Sequence, residues 1–326
     1  MRDRLRISPQ LYAKVTLVAL GALALIVLTG AGVRLTGSGL GCPDWPKCYG
    51  GTVPPLDTHA VIEYGNRLLT GFVGFAVIAA SVLAWFRVPF RGHLALFGAL
   101  LPLGVIGQAV LGGLVVKYHL APGLVMGHFI LSMLLLDAAF ALAWCARYEP
   151  WERRRSSDWL GVWAVRGLIP LGQLTILAGT IATASGPHAG SNGNQLVHRF
   201  DFEGSGTLEW VVQRHSAIAA VFGLAAIAVW MLLRRPGGDR RALRPLAVVI
   251  GLLGLQGVVG GLQWALELPG ELVWIHIALA TATWLAMLWT VATAGRLEPR
   301  ASDRAVDDPN RSADDAESPA AALSRS

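Results

Sequence analysis

Eight apolar runs, each about 20 residues or longer, constrain this chain more than any other feature, because each is long enough to cross a hydrocarbon layer about 30 Å thick. They lie near residues 13–33, 61–86, 93–116, 122–146, 159–184, 208–233, 244–265 and 271–294. Backbone N–H and C=O groups find no water inside a bilayer, so each run must satisfy them internally. The expected fold is an all-α integral membrane protein with eight transmembrane helices. With 54% hydrophobic and only 15% charged residues, the chain has too little polar surface to be a soluble globule of this length. The first run reads as a true span and not a cleaved signal, since it is long and lacks a small-residue cleavage site.

The formal net charge is +6, which in another chain would suggest nucleic acid. Here the basic residues form short clusters between apolar runs and make no basic face. Arg2, Arg4, Arg6 and Lys14 precede or open the first span, Arg87 and Arg91 follow the second, and Arg147, Arg153, Arg154 and Arg155 follow the fourth. Arg234, Arg235, Arg240, Arg241 and Arg244 lie between the sixth and seventh, and Arg296 follows the eighth. All these connections fall on one side, which the positive-inside rule makes the cytoplasm. The expectation is a multi-pass protein of the cell membrane with both termini inside. Residues 296–326 are polar, without apolar period, and read as a disordered cytoplasmic tail.

An internal repeat is the second strong signal. Gln108-Ala-Val-Leu-Gly112-Gly113-Leu114 matches Gln256-Gly-Val-Val-Gly260-Gly261-Leu262 at an offset of 148, and His128 maps onto His276 at the same offset. Thr36-Gly-Ser38-Gly39 matches Thr183-Ala-Ser185-Gly186 at 147, as does Pro122 with Pro269. The chain therefore divides into two tandem-duplicated four-helix bundles, residues 1–150 and 151–295. Each has an even number of spans, so both face the same way. The glycine pairs suit close helix packing or the approach of a cofactor, and both glutamines suit hydrogen bonds between helices.

Ionisable groups in a bilayer are costly and each asks for a reason. His128 lies six residues after Pro122, roughly 9 Å into its helix at 1.5 Å per residue. His215 and His276 lie at a similar depth on spans that start from the same side. Imidazoles at one level on neighbouring helices are suited to haem iron, with glycine admitting the ring, although histidines hydrogen-bonded between helices remain the plainer alternative. His215 and His276 make one pair. The first half lacks the matching pair, because the position equivalent to His215 is Asn66, a poor iron ligand. Glu63 and Asn66 share a helix face, with Arg67 one turn beyond Glu63. Glu63 and Arg67 are either an ion pair near the interface or a carboxylate held over a haem that His128 alone ligates. Iron with one protein ligand keeps a face open for dioxygen, whereas a bis-histidine iron is suited to electron transfer.

Cys42 and Cys48 fall in an outer loop, where a disulfide, a redox-exchanging pair and a metal site are all open readings. Cys145 reads as a free, inert thiol, and three cysteines in all exclude a disulfide scaffold. His59, His93, His119, His188 and His198 lie in or beside connections, where solvated or loop-bonding roles are the default.

Together these motifs resemble haem A synthases. The resemblance rests on Gly32-Val-Arg34-Leu-Thr36-Gly-Ser38-Gly39-Leu-Gly-Cys42-Pro43-Asp44-Trp45-Pro46-Lys-Cys48, on Ile62-Glu63-Tyr-Gly-Asn66-Arg67, on Gly127-His128-Phe, on Ser185-Gly186-Pro187-His188-Ala189-Gly190 and on His276. It covers roughly residues 13–294. It implies oxidation of the C8 methyl of haem O to a formyl group, giving haem A for terminal oxidases. It further implies a resident haem b on His215 and His276, substrate haem in the first half, and Glu63 at the family's important acidic position. Haem O synthase (protohaem farnesyltransferase) and oxidase assembly are the implied partners. Asn66 departs from the family, many of whose members carry a second first-half histidine there. A b-type cytochrome electron-transfer protein would need two complete ligand pairs, and a haem-carrying assembly factor would have no use for Glu63 beside an open face.

Overall fold

A computed structural model describes residues 6–148, 156–191 and 197–294. The expected tail and the boundary between residues 150 and 151 lie outside these described residues. Eight helices follow in order: α1 (Pro9–Leu35), α2 (Thr58–Leu83), α3 (Gly92–Lys117), α4 (Pro122–Arg147), α5 (Trp159–Ser185), α6 (Thr207–Leu233), α7 (Leu243–Ala265) and α8 (Gly270–Thr293). All eight are long and apolar enough to cross a membrane, as the sequence predicts.

Helix starts follow local chemistry. Ser8 and Asp57 accept hydrogen bonds from the amides of Leu11 and Ala60, capping α1 and α2, and Pro9 and Pro122 occupy first-turn positions where a missing N–H costs nothing. Capping also explains the two spans that depart from expectation by about a turn: α1 begins at Pro9 and not 13 because Ser8 caps it. α2 begins at Thr58 and not 61 because Asp57 caps it. It ends at Leu83 and not 86 because Phe86 O accepts the Ile7 amide while Val88 N–H donates back to Ile7 O.

In the first half α1 packs on α2 and α4, α2 on α3, and α3 on α4; in the second α5 packs on α6, α6 on α7, and α7 on α8. The halves meet through α1 with α8, α4 with α5, and α4 with α8. One apolar core runs through both, from Tyr12, Leu101 and Leu136 to Leu168, Phe222, Leu246 and Met287. Outward faces keep Phe72, Phe75, Leu103, Ile106, Met231 and Val258 exposed, the inverse of a soluble protein and the surface that lipid covers.

The repeat reappears in backbone detail. His119 and Leu120, between α3 and α4, have φ of 48° and 59°; Glu267 and Leu268, 148 residues on, both have 62°. Leu120 N–H donates to Val115 O at 2.8 Å and Leu268 N–H to Gln263 O at 2.7 Å, so one turn is built twice. Left-handed geometry costs a non-glycine residue about 1 kcal/mol, which makes a doubled pair an unusual coincidence unless the units share a plan.

Hydrogen bonds bind the halves, among them that of the Gly39 amide to Gly190 O at 2.8 Å. Arg34 on α1 donates to Thr183 O at 2.8 Å and His188 O at 2.9 Å. Trp274 Nε1 on α8 donates to Leu28 O on α1 at 2.9 Å. Trp284 Nε1 on α8 donates to Asp137 Oδ1 on α4 at 2.6 Å. At the arginine-rich end, buried Asp158 caps Gly161, pairs with Arg235 at 2.5 Å and accepts the Asp239 amide at 2.9 Å, pinning α5 to the α6–α7 connection.

Candidate functional site

Two histidine centres form near the loop end of the bundle. In the second half α6 and α8 bring His215 and His276 together, with ring centroids 6.3 Å apart and planes at 72°. Nδ1 of each ring is buried without a hydrogen-bond partner, although the Thr175 backbone faces the His215 ring. Glycine clears the space beside both. A Cβ built on Gly179 of α5 would lie 3.0 Å from His215 Cε1, and one on Gly260 of α7 3.4 Å from His276 Cε1. The arrangement fits a haem held by two imidazoles. Nitrogens about 2 Å from a shared metal put ring centres roughly 6 Å apart, close to the separation seen. Buried unpaired ring nitrogens are otherwise hard to explain, since burial without a partner costs about 1–3 kcal/mol each.

The first half repeats part of this. Gly112 of α3 faces His128 of α4, a Cβ there lying 3.4 Å from Cε1, and His128 Nδ1 is again buried and unpaired. Gln108, one turn from Gly112, donates through Nε2 to His128 O at 3.0 Å and to Ser132 Oγ at 2.7 Å, while Ser132 Oγ donates to His128 O at 3.0 Å. So Gln108 makes the interhelical bond that the sequence leads one to expect. Asn66 does not stand free as a ligand: its Oδ1 accepts the Thr29 hydroxyl at 2.8 Å, tying α2 to α1.

Glu63 is buried and both its oxygens are engaged. Oε2 accepts the Cys42 amide at 2.8 Å and Oε1 pairs with Arg67 Nη2 at 2.5 Å. Arg67 Nη1 donates in turn to Asp44 O at 3.0 Å and Lys47 O at 2.8 Å. The ion-pair reading of Glu63 and Arg67 is therefore the one this geometry displays, and the pair grips the loop that Cys42 and Cys48 close. That loop is a disulfide ring with Cα atoms 4.8 Å apart. It lays Trp45 on α3, where a Cβ on Gly113 would come within 3.1 Å of the indole.

The glycine pairs divide their work differently from simple helix packing. Gly112 and Gly260 face histidine rings, Gly113 receives Trp45, and Gly261 has nothing within 4 Å. Sequence comparison misses Gly179, though the offset of 147 that pairs Thr36 with Thr183 carries Gly32 onto it. It also misses Asp137, whose place mid-helix in a bilayer span was signal enough. Of the remaining groups, His188 Nε2 lies 2.7 Å from Leu268 O, His59 Nδ1 3.0 Å from Ser38 Oγ and His93 Nε2 2.9 Å from Arg91, all in loop-bonding roles. Cys145 is free. No group of three or more His, Cys, Asp or Glu side chains suited to a bare metal ion occurs among the described residues.

Comparison with known proteins gives the family. The chain is 30% identical over 286 residues to a protoheme IX farnesyltransferase of Thermus thermophilus, covering 83% of this chain and 46% of that one. It is 32% identical over 121 residues to a heme A synthase of Lysinibacillus sphaericus, covering 36% and 39%, and 31% identical over 144 residues to one of Alkalihalophilus pseudofirmus, covering 44% and 46%. Each match spans less than half of the relative's own length. The sequence model of a family described as cytochrome oxidase assembly protein, COX15-CtaA, matches residues 13–196, more than half of the 326 residues. The chain belongs to that family.

Proposed function

We propose that this protein is a haem A synthase, an oxidoreductase that converts the C8 methyl of haem O to a formyl group. In this reading the second half, residues 151–295, holds a resident haem b between His215 and His276, and the first half, residues 1–150, receives haem O on His128 alone. The observation that carries it is the inequality of the two centres: a facing imidazole pair in one half, and in the other a single imidazole with Asn66 committed to Thr29. Haem at these residues supplies electron transfer in the second half and oxygen chemistry at the substrate's own iron in the first.

The chain's own groups have separate tasks. Gln108 and Ser132 fix the His128 backbone and so the level of its ring. Arg67 and Glu63 hold the disulfide loop at the mouth of the first half, and Trp45 closes it against Gly113. Glu63 is also the carboxylate placed to exchange a proton at Oε1 when Arg67 lets go. The loop end is the outer face of the cell membrane and both termini are cytoplasmic. The arginine clusters support this, as does a disulfide, which persists in oxidising compartments. The names of the relatives support haem O synthase as the supplier of substrate and terminal oxidase assembly as the destination.

A b-type cytochrome is the second reading, favoured by the His215–His276 pair. Incubating purified, haem-loaded protein with haem O and a reductant under air separates the two. Extracted pigment should contain haem A; haem O recovered unchanged, with the second-half spectrum normal, leaves the cytochrome reading standing.

A further inference from the structure

In the first half, a buried carbonyl oxygen is left over beside His128, in addition to the unpaired Nδ1 of the ring itself. Gln108 spends both amide hydrogens, on His128 O and on Ser132 Oγ. This fixes which end of the amide is which, since the reversed amide would set its oxygen against the His128 carbonyl. Gln108 Oε1 is then buried and has no partner among the described residues. An unpaired buried acceptor costs about 1–3 kcal/mol and is retained where something fills it. The site is framed on α3 and α4: Gly112, one turn along from Gln108, opens the space at the His128 ring. The second half has Gln256 at the matching position, also with an unpaired oxygen, but Ala280 stands where Ser132 stands, so no hydroxyl fixes that amide.

We propose that Gln108 Oε1 accepts a hydrogen bond from a hydroxyl on the first-half ligand, making Gln108 a specificity residue for hydroxylated haem. This rests on the reading of the first half as the haem O pocket. Haem O carries one hydroxyl, on the carbon that bears its isoprenoid chain, where haem B carries an unsubstituted vinyl group that can donate nothing. A site built to bond a hydroxyl rejects the analogue that lacks it, because its own buried acceptor is then left unpaired.

The test is absorption titration of the detergent-solubilised protein, second-half haem already in place, with haem O and separately with haem B. His128→Ala identifies the part of the signal that belongs to the first half. Wild-type protein is expected to prefer haem O. Gln108→Leu should lower haem O affinity about tenfold more than haem B affinity, the loss of one hydrogen bond near 1.4 kcal/mol. Ser132→Ala removes the hydroxyl that fixes the amide and so the aim of Oε1, and it should lower haem O affinity more than haem B affinity, in the same direction as Gln108→Leu and by less. If Gln108→Leu weakens both haems equally, Gln108 merely positions His128 and the proposal is wrong. If the wild-type first half binds haem O without any His128-dependent signal, the substrate-pocket reading fails first and takes this proposal with it.

Discussion

The halves share a glycine set against a histidine, Gly112 beside His128 and Gly260 beside His276, and a Cβ added at either glycine would lie 3.4 Å from the ring Cε1. They part over what stands opposite. In the second half Gly179 admits a second imidazole, whereas in the first Asn66 turns to Thr29 and a disulfide loop gripped by Glu63 and Arg67 lays Trp45 against Gly113. The helical frames differ too: α1 lies along α4 over a longer stretch than α5 along α8. In the proposed function the second centre would hold a group permanently and the first would admit one. The difference comes from a few side chains, a loop and the closer packing of α1 on α4.

The sharpest break in this comparison is removal of either second-half imidazole. His215→Ala or His276→Ala should abolish the low-spin haem spectrum of the purified protein, and an unchanged spectrum in both variants would sink the paired assignment. Next comes inequality within the first half. His128→Ala should lower haem A formation at least about 100-fold, as loss of a sole axial ligand, while Asn66→Ala should stay within about tenfold, the lower end for a group that acts through others. Pigment analysis decides, and equal losses would restore symmetry between the halves. Glu63→Gln keeps the acceptor for the Cys42 amide but loses the charge facing Arg67. It should leave the second-half spectrum intact while haem O, or a partly oxidised product, accumulates.

Two smaller effects concern stability. Replacing Cys42 and Cys48 by Ser opens a ring with a sequence separation of 6, a loss of about 2 kcal/mol by chain entropy. Alkylation before and after reduction should find both thiols blocked in the wild type, and freely alkylated cysteines would count against the bond. At the other end of the second half, burial alone would raise the Asp158 carboxyl. The Gly161 and Asp239 amides and Arg235 outweigh it and hold the pKa below the usual carboxylate value. A depressed folded pKa means that this stabilisation is complete above the unfolded value and is lost as pH falls through the folded one. Asp158→Asn should therefore be less stable at neutral pH, and should lose less of its thermal midpoint than the wild type on acidification.

The fold was legible because 20-residue apolar runs admit one kind of element, and arginine clusters bracket them. Boundaries slipped only where a cap or a turn decides, as at Asp57 and Phe86. His128, His215 and His276 were legible because depth can be counted from a helix start. What faces them was not. Thr29, Ser132 and Trp45 take their places through helix rotation and loop path, and neither leaves a spacing in the chain; Gly179 alone of these neighbours carries the repeat offset. Glu63 shows the same limit: its helix face could be read, but not that the Cys42 amide would claim one of its oxygens.

The Asp137–Trp284 bond joins α4 to α8, the contact that maps onto itself when the halves are exchanged. Counted from His128 and His276, Asp137 sits nine residues on and Trp284 eight, so Leu285 matches Asp137 and Leu136 matches Trp284. A symmetric dimer of first halves would set each carboxylate against leucine, and one of second halves each indole likewise, leaving polar groups stranded in hydrocarbon. Mutual recognition is thereby written into the seam. Expressed as separate chains, the two pieces are built to choose each other over their own kind, so cutting the connection between α4 and α5 should leave a heterodimer and not a mixture.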